Sequence, residues 1–122
     1  MTTTARPKSG LASLGQIVMT AGIRDFVDTG VMPYESEPRP ETLGVDWRKH
    51  WLKVILVSHS EGCWGDTCFD DGVLNDQVRN NPGTGGRLLS VWDRGGFPKT
   101  WIITDKYGSP DSVTTVLFPE EY

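Results

Sequence analysis

His59, Cys63 and Cys68 fall within ten residues of one another, with Asp66 between the cysteines. Nitrogen, thiolate and carboxylate donors hold zinc when four of them meet at tetrahedral geometry. His59 and Cys63 stand one helical turn apart. The Cys63-x4-Cys68 spacing is loose, however, no second pair follows, and His50 falls near the opposite face of the same helix. The same step from His59 to Cys63 could set a base beside a thiol nucleophile, but no Gly-rich oxyanion-hole segment accompanies it. Buried or neutral thiols and a surface histidine are the simpler assignment. Asp66, Asp70, Asp71 and Asp76 could bind Mg²⁺ or do acid–base work. They are equally well explained as turn and cap residues, whose oxygens accept backbone N–H bonds. Gly83-Thr-Gly-Gly86 is Gly-rich but precedes a strand and lacks the lysine of a phosphate loop. No catalytic residue, cofactor or metal-ligand set is therefore assigned.

The net charge is −4, and the charges come in blocks. Asp25–Asp46 holds six acids against one arginine, Trp47–His59 three bases and no acid, and Glu61–Asp76 five acids and no base. General affinity for a nucleic-acid backbone needs clustered Lys and Arg, so this balance argues against it. Blocks of one sign are either solvated surface or a face that meets a basic partner. On the second view the contact residues are Tyr34, Glu35, Glu37, Glu41, Glu61, Asp66, Asp70, Asp71 and Asp76.

The elements that must position these groups can be read from periodicity. Leu88–Asp93, Thr100–Asp105 and Val113–Phe118 are β-prone, and the gaps between them carry Gly and Pro. Such short gaps suit antiparallel neighbours. Residues 14–20 can add a fourth strand. Ile23–Asp28 suits a short helix with Gly30 as its C-terminal cap. The span 31–45 holds Pro33, Pro38 and Pro40, which disfavour a regular element. Asp46 is placed to cap a helix over 46–60, with Trp47, Trp51, Val54, Ile55 and Ser58 on one face. Asp70 or Asp71 can cap a short helix over 70–80 with Leu74 and Val78 inward. The expectation is an α+β fold: a three- or four-stranded antiparallel sheet packed by these two helices, with Phe118 and Tyr122 at the end of the last strand.

At 122 residues the chain suits one domain, with residues 1–10 a flexible tail. Its longest apolar run, Val54–Val57, is too short to span a bilayer, and no apolar stretch follows the basic residues at the N-terminus. Cytoplasmic location and free thiols at Cys63 and Cys68 are expected.

Several of these segments form a pattern: Leu14-Gly-Gln-Ile-Val18, Trp64-Gly-Asp66, Asn75, Arg87-Leu-Leu-Ser90, Trp101-Ile-Ile-Thr104 and Thr114-Thr-Val-Leu-Phe-Pro-Glu-Glu-Tyr122. It resembles that of small "plasmid-related" proteins carried by bacterial plasmids, integrative elements and prophages. The resemblance covers about half the chain, chiefly 61–122, and lapses over 31–60. It implies a mobile-element setting and no particular activity. Together with the acidic blocks, it leads us to expect a non-enzymatic protein. Such a protein would inhibit a host nucleic-acid-targeting defence complex, of the anti-CRISPR or anti-restriction kind, by meeting its basic surface. Two other readings stand beside it: a small metal-dependent enzyme using Asp66, Asp71 and His59, and a homodimeric regulatory module.

Overall fold

The computed structural model describes residues 10–37 and 44–122. The chain is α+β. Its last three strands, β2 (Leu88–Trp92), β3 (Thr100–Asp105) and β4 (Val113–Leu117), form an antiparallel meander in which Ser90 faces Ile102 and Ile102 faces Val116. The early strand β1 (Gln16–Met19) joins beside β4 and runs parallel to it, giving the order β1-β4-β3-β2. The sheet is thus mixed, not wholly antiparallel. Tight gaps dictate the sense of the last three strands. Between β1 and β4 lie the three α-helices of the described residues, a connection long enough for either sense.

Alternation along the strands separates two faces. Ser90, Thr100, Ile102, Thr104, Thr114 and Val116 point to one side and are buried. On that side pack α1 (Ala21–Thr29), α2 (Val45–Ser60) and a 3-10 turn at Gly10–Leu14. Phe26 sits at the centre, edge-on to both Trp51 and Phe118, and Trp51 stacks on Phe97 at 4.8 Å. On the other side Leu89, Trp101, Ile103, Arg87 and Tyr122 line a shallow cleft of about 240 Å³. Phe118 is thus core, whereas Tyr122 is 70% exposed and lies edge-on to Trp101.

Gly30 ends α1 as expected: its φ of 79° is a left-handed cap, and its N–H donates to Phe26 O. At the start of α1, Thr20 accepts from the Ile23 amide, and Glu121 accepts from Thr20 Oγ1, Gly22 N and Phe118 N. A carboxylate against a helix N-terminus is favourable, so the Pro-Glu-Glu tail ties β4 to α1.

The helix α2 is the expected one, but turned. Its N-cap is Gly44 instead of Asp46, which lies in the first turn. Trp47 is 58% and Val54 45% exposed, while Arg48, Ile55, Leu56 and His59 are buried. The buried stripe keeps the expected spacing, shifted by one residue. Two polar residues account for the shift. Arg48 donates from Nε to Val27 O at 2.9 Å and from Nη2 to Asp28 O, placing a cation at the C-terminal end of α1. His59 reaches the sheet.

The last helix, α3 (Phe69–Asn80), lies along the free edge of β2. Cys68 is its N-cap, with no side-chain bond, and Asp70 and Asp71 sit in its first turn without capping it. Leu74 is 58% exposed and Val78 half-buried; the buried residue is Asn75. The Asn75 amide group donates to Leu89 O (2.6 Å) and accepts from Leu89 N (3.0 Å), the exchange a neighbouring strand would make. Further along, Val91 N donates to Thr67 Oγ1, Asp66 N donates to Val91 O, and Asp93 N donates to Asp66 Oδ2. Gly65 must be glycine here: its φ is 62°, and a Cβ would overlap Val91 O. Asn75→Leu keeps the branched shape of the side chain but orphans both Leu89 groups. It should lower unfolding free energy by about 2–3 kcal/mol in urea titrations, with the helix content unchanged.

Candidate functional site

Two places gather chemically capable side chains. The first is at the junction of α2 with the sheet, where His59 is fully buried. Its Nδ1 lies 2.7 Å from Ser90 Oγ and its Nε2 2.9 Å from Thr104 Oγ1. The expected surface histidine is thus an interior one. The proton positions follow from the far end of the chain of bonds. Thr114 Oγ1 can only donate to Leu14 O, a carbonyl. Thr104 must then donate to Thr114, 2.7 Å away. With its one hydrogen so used, Thr104 accepts from His59 Nε2–H. The neutral ring leaves Nδ1 to accept from Ser90, whose oxygen accepts from Trp92 Nε1. The chain runs Trp92, Ser90, His59, Thr104, Thr114, Leu14, with every donor placed. Trp64 closes over the imidazole edge-on at 5.5 Å.

Burial drives the His59 pKa from 6.5 down to about 3. A proton on Nδ1 would bring a charge into an apolar interior and displace the Ser90 hydrogen from its acceptor. The serine–histidine contact has the look of a nucleophile and its base, but Ser90 is sealed from solvent and donates inward. It works as a structural pin.

The second place is the surface around α3. Trp64 Nε1 donates to Asp76 Oδ1, and Asp66 accepts from Arg94 Nε at 2.9 Å. The Asp93 amide and then the Arg94 guanidinium hold the Asp66 carboxyl below its usual range. Asp66 and Asp76 are therefore already engaged. Asp70 and Asp71 are exposed and make no side-chain hydrogen bond or ion pair among the described residues. Glu61 is the exposed C-cap of α2. Cys63 and Cys68 flank this turn as free, exposed thiols, not buried ones.

Tyr34, Glu35 and Glu37 lie elsewhere. The Tyr34 hydroxyl reaches Glu120, whose neighbour Glu121 is tied to Thr20 and Gly22. This acidic group belongs with β1 and α1, whereas Glu61–Asp76 belongs with the β2 edge. The two blocks do not form one face. Glu41 lies outside the described residues.

Sequence reasoning missed that Phe69, Val73 and Leu74 stand exposed, at 83%, 38% and 58%, beside Asp70 and Asp71. The helix sequence alone holds no signal for this: the inward residue is an asparagine matched to the edge of β2, so α3 has no broad core face and its apolar residues remain outside. Among the described residues no group of three or more His, Cys, Asp or Glu side chains is placed to hold a metal ion. His59 has both ring nitrogens engaged away from Asp66 and Asp71. No described helix is long and apolar enough to cross a membrane. No family model matches the chain, and comparison with curated proteins and with solved structures finds no match.

The His59 assignment fixes a pH dependence. Above pH 6.5 the ring is neutral folded and unfolded and contributes no slope. Below it the unfolded chain takes up a proton that the folded chain refuses until about pH 3. Stability is thus lost as pH falls through this window, by about 1.4 kcal/mol per pH unit from this group. His59→Gln, which can still donate to one side and accept from the other, should remove one proton from the uptake on unfolding between pH 6 and 4. Equal slopes for both proteins, measured by urea titration, would refute the assignment.

Proposed function

We propose that this chain is a non-catalytic binding protein of mobile-element type, acting in the cytoplasm. It would inhibit a nucleic-acid-targeting defence complex by occupying a basic surface that otherwise takes nucleic acid. The observation that carries the reading is the make-up of the outer side of α3. Asp70 and Asp71 present carboxylates with no internal partner, and Phe69, Val73 and Leu74 present apolar side chains in the same turns. Carboxylates near a lysine- or arginine-lined channel speed association and fix register. A protruding aromatic supplies the desolvated anchor that charge alone does not. Glu61 widens the negative field, and Asp66 and Asp76 add to it while holding the turn. Tyr34, Glu35 and Glu37 sit too far round the sheet to share that contact and would serve a second lobe of the target.

A catalytic reading is less well supported. The one serine–histidine contact is sealed from solvent, and the accessible carboxylates have no base or metal-ligand partner among the described residues.

The test is capture, on the immobilised protein, of a CRISPR or restriction complex from a host lysate at low and high salt. Capture should fall as salt rises. Asp70→Lys/Asp71→Lys and, separately, Phe69→Ser should each weaken it at least about tenfold, while Asp111→Lys on a distant loop leaves it intact. Capture that ignores both salt and these substitutions would exclude α3 as the contact.

A further inference from the structure

The two edges of the sheet are finished differently. Along β2, the groups of Leu89, Val91 and Asp93 are matched by Asn75, Thr67 and Asp66. Along β1 no described residue plays that part. The ladder to β4 uses the amides of Gln16 and Thr20, which donate to Ser112 O and Val116 O. Alternate residues face the partner in such a ladder, so Val18 also turns to β4. Ile17 and Met19 then direct their N–H and C=O groups away from the sheet, and neither has a further bond among the described residues. The strand Gln-Ile-Val-Met carries no charge and no proline, and Met19 is 37% exposed. The edge is short, but charge, proline and a covering segment among the described residues, the other devices that blunt an edge, are missing.

We propose that β1 is the interface of a homodimer, pairing antiparallel with β1 of a second copy about a twofold axis at Val18. In that register Ile17 meets Met19 of the second copy as a hydrogen-bonded pair, and the reverse pair follows by symmetry. About four main-chain bonds form. Val18 meets its own copy at the intervening position, where opposed side chains come closest. Met19, left exposed in the single chain, is covered by Ile17 of the second copy, whose side chain lies on the same face. A slip of one residue would turn the outward groups away from each other. An uncharged edge offers nothing to select an acidic or basic segment, whereas it matches itself without repulsion. The dimer continues the sheet through eight strands and leaves α3 free at both far ends, so it stands independently of the role proposed for that helix.

Sedimentation velocity from about 10 μM to about 1 mM spans the range where small interfaces associate. The wild-type chain should shift from monomer to dimer, and Met19→Lys should stay monomeric with an unchanged circular dichroism spectrum. Amide hydrogen exchange on the wild-type chain gives a reading that needs no variant. The Ile17 and Met19 amides should exchange at least about tenfold more slowly at the dimeric concentration than at the monomeric one. A wild-type chain that is monomeric at 1 mM would overturn the proposal. So would a dimer in which those two amides exchange at a rate independent of concentration.

Discussion

A neutral imidazole buried without a charged partner must have both ring nitrogens matched, one as donor and one as acceptor. His59 meets that demand with Ser90 on β2 and Thr104 on β3, and the chain of bonds continues through Thr114 on β4 to Leu14 ahead of β1. One side chain from α2 thereby fixes the helix over the sheet and reaches toward all four strands. The other contacts of α2 agree with this placement. The same rotation that brings His59 inward buries Arg48 against the last carbonyls of α1 and leaves Trp47 outside. An apolar residue at 59 would pack, but it would leave the Ser90 hydroxyl hydrogen without an acceptor and Thr104 Oγ1 without the donor it takes from the ring, at a cost of about 1–3 kcal/mol in all.

The carboxylates divide by what they face. Glu121 lies against the N-terminus of α1, Asp66 against the amide of Asp93 and Arg94, and Asp76 against the indole of Trp64. These belong to the scaffold. Asp70 and Asp71 share only the general preference of acids for the first turn of a helix; neither carboxylate bonds a described group, and they stand among exposed apolar residues on a helix that fills a strand edge instead of covering a face. This separation is what makes α3 the stronger candidate for a contact surface than the acidic blocks taken whole.

The strands were legible because β-branched and aromatic runs between Gly/Pro gaps have few alternatives, and the 88–118 meander follows from gap length. The helices were legible in extent but not in rotation. The stripe through Trp47 and Trp51 is the more hydrophobic one, and the buried stripe one residue on contains Arg48 and His59, whose burial depends on partners far along the chain. Asn75 was hidden for the same reason: its role exists only once β2 lies beside it. The parallel sense of β1 was not legible, since a long connection permits either. The residues that carry the resemblance to plasmid-related proteins now have physical roles. Gly65, Asp66 and Asn75 finish the β2 edge, Ser90, Thr104 and Thr114 hold His59, and Glu121 ties the tail to α1. They describe a scaffold, and the surface proposed as a contact, Phe69–Asp71 with Leu74, lies outside them.

The central claim is that His59 is a neutral structural pin with its proton on Nε2. Nitrogen-15 chemical shifts of the two ring nitrogens, followed from pH 7.5 to 4.5, test it most directly. The account predicts a protonated Nε2 and an unprotonated Nδ1 at every pH in that range while the chain stays folded. A ring that titrates near 6.5, or one with its proton on Nδ1, would contradict it.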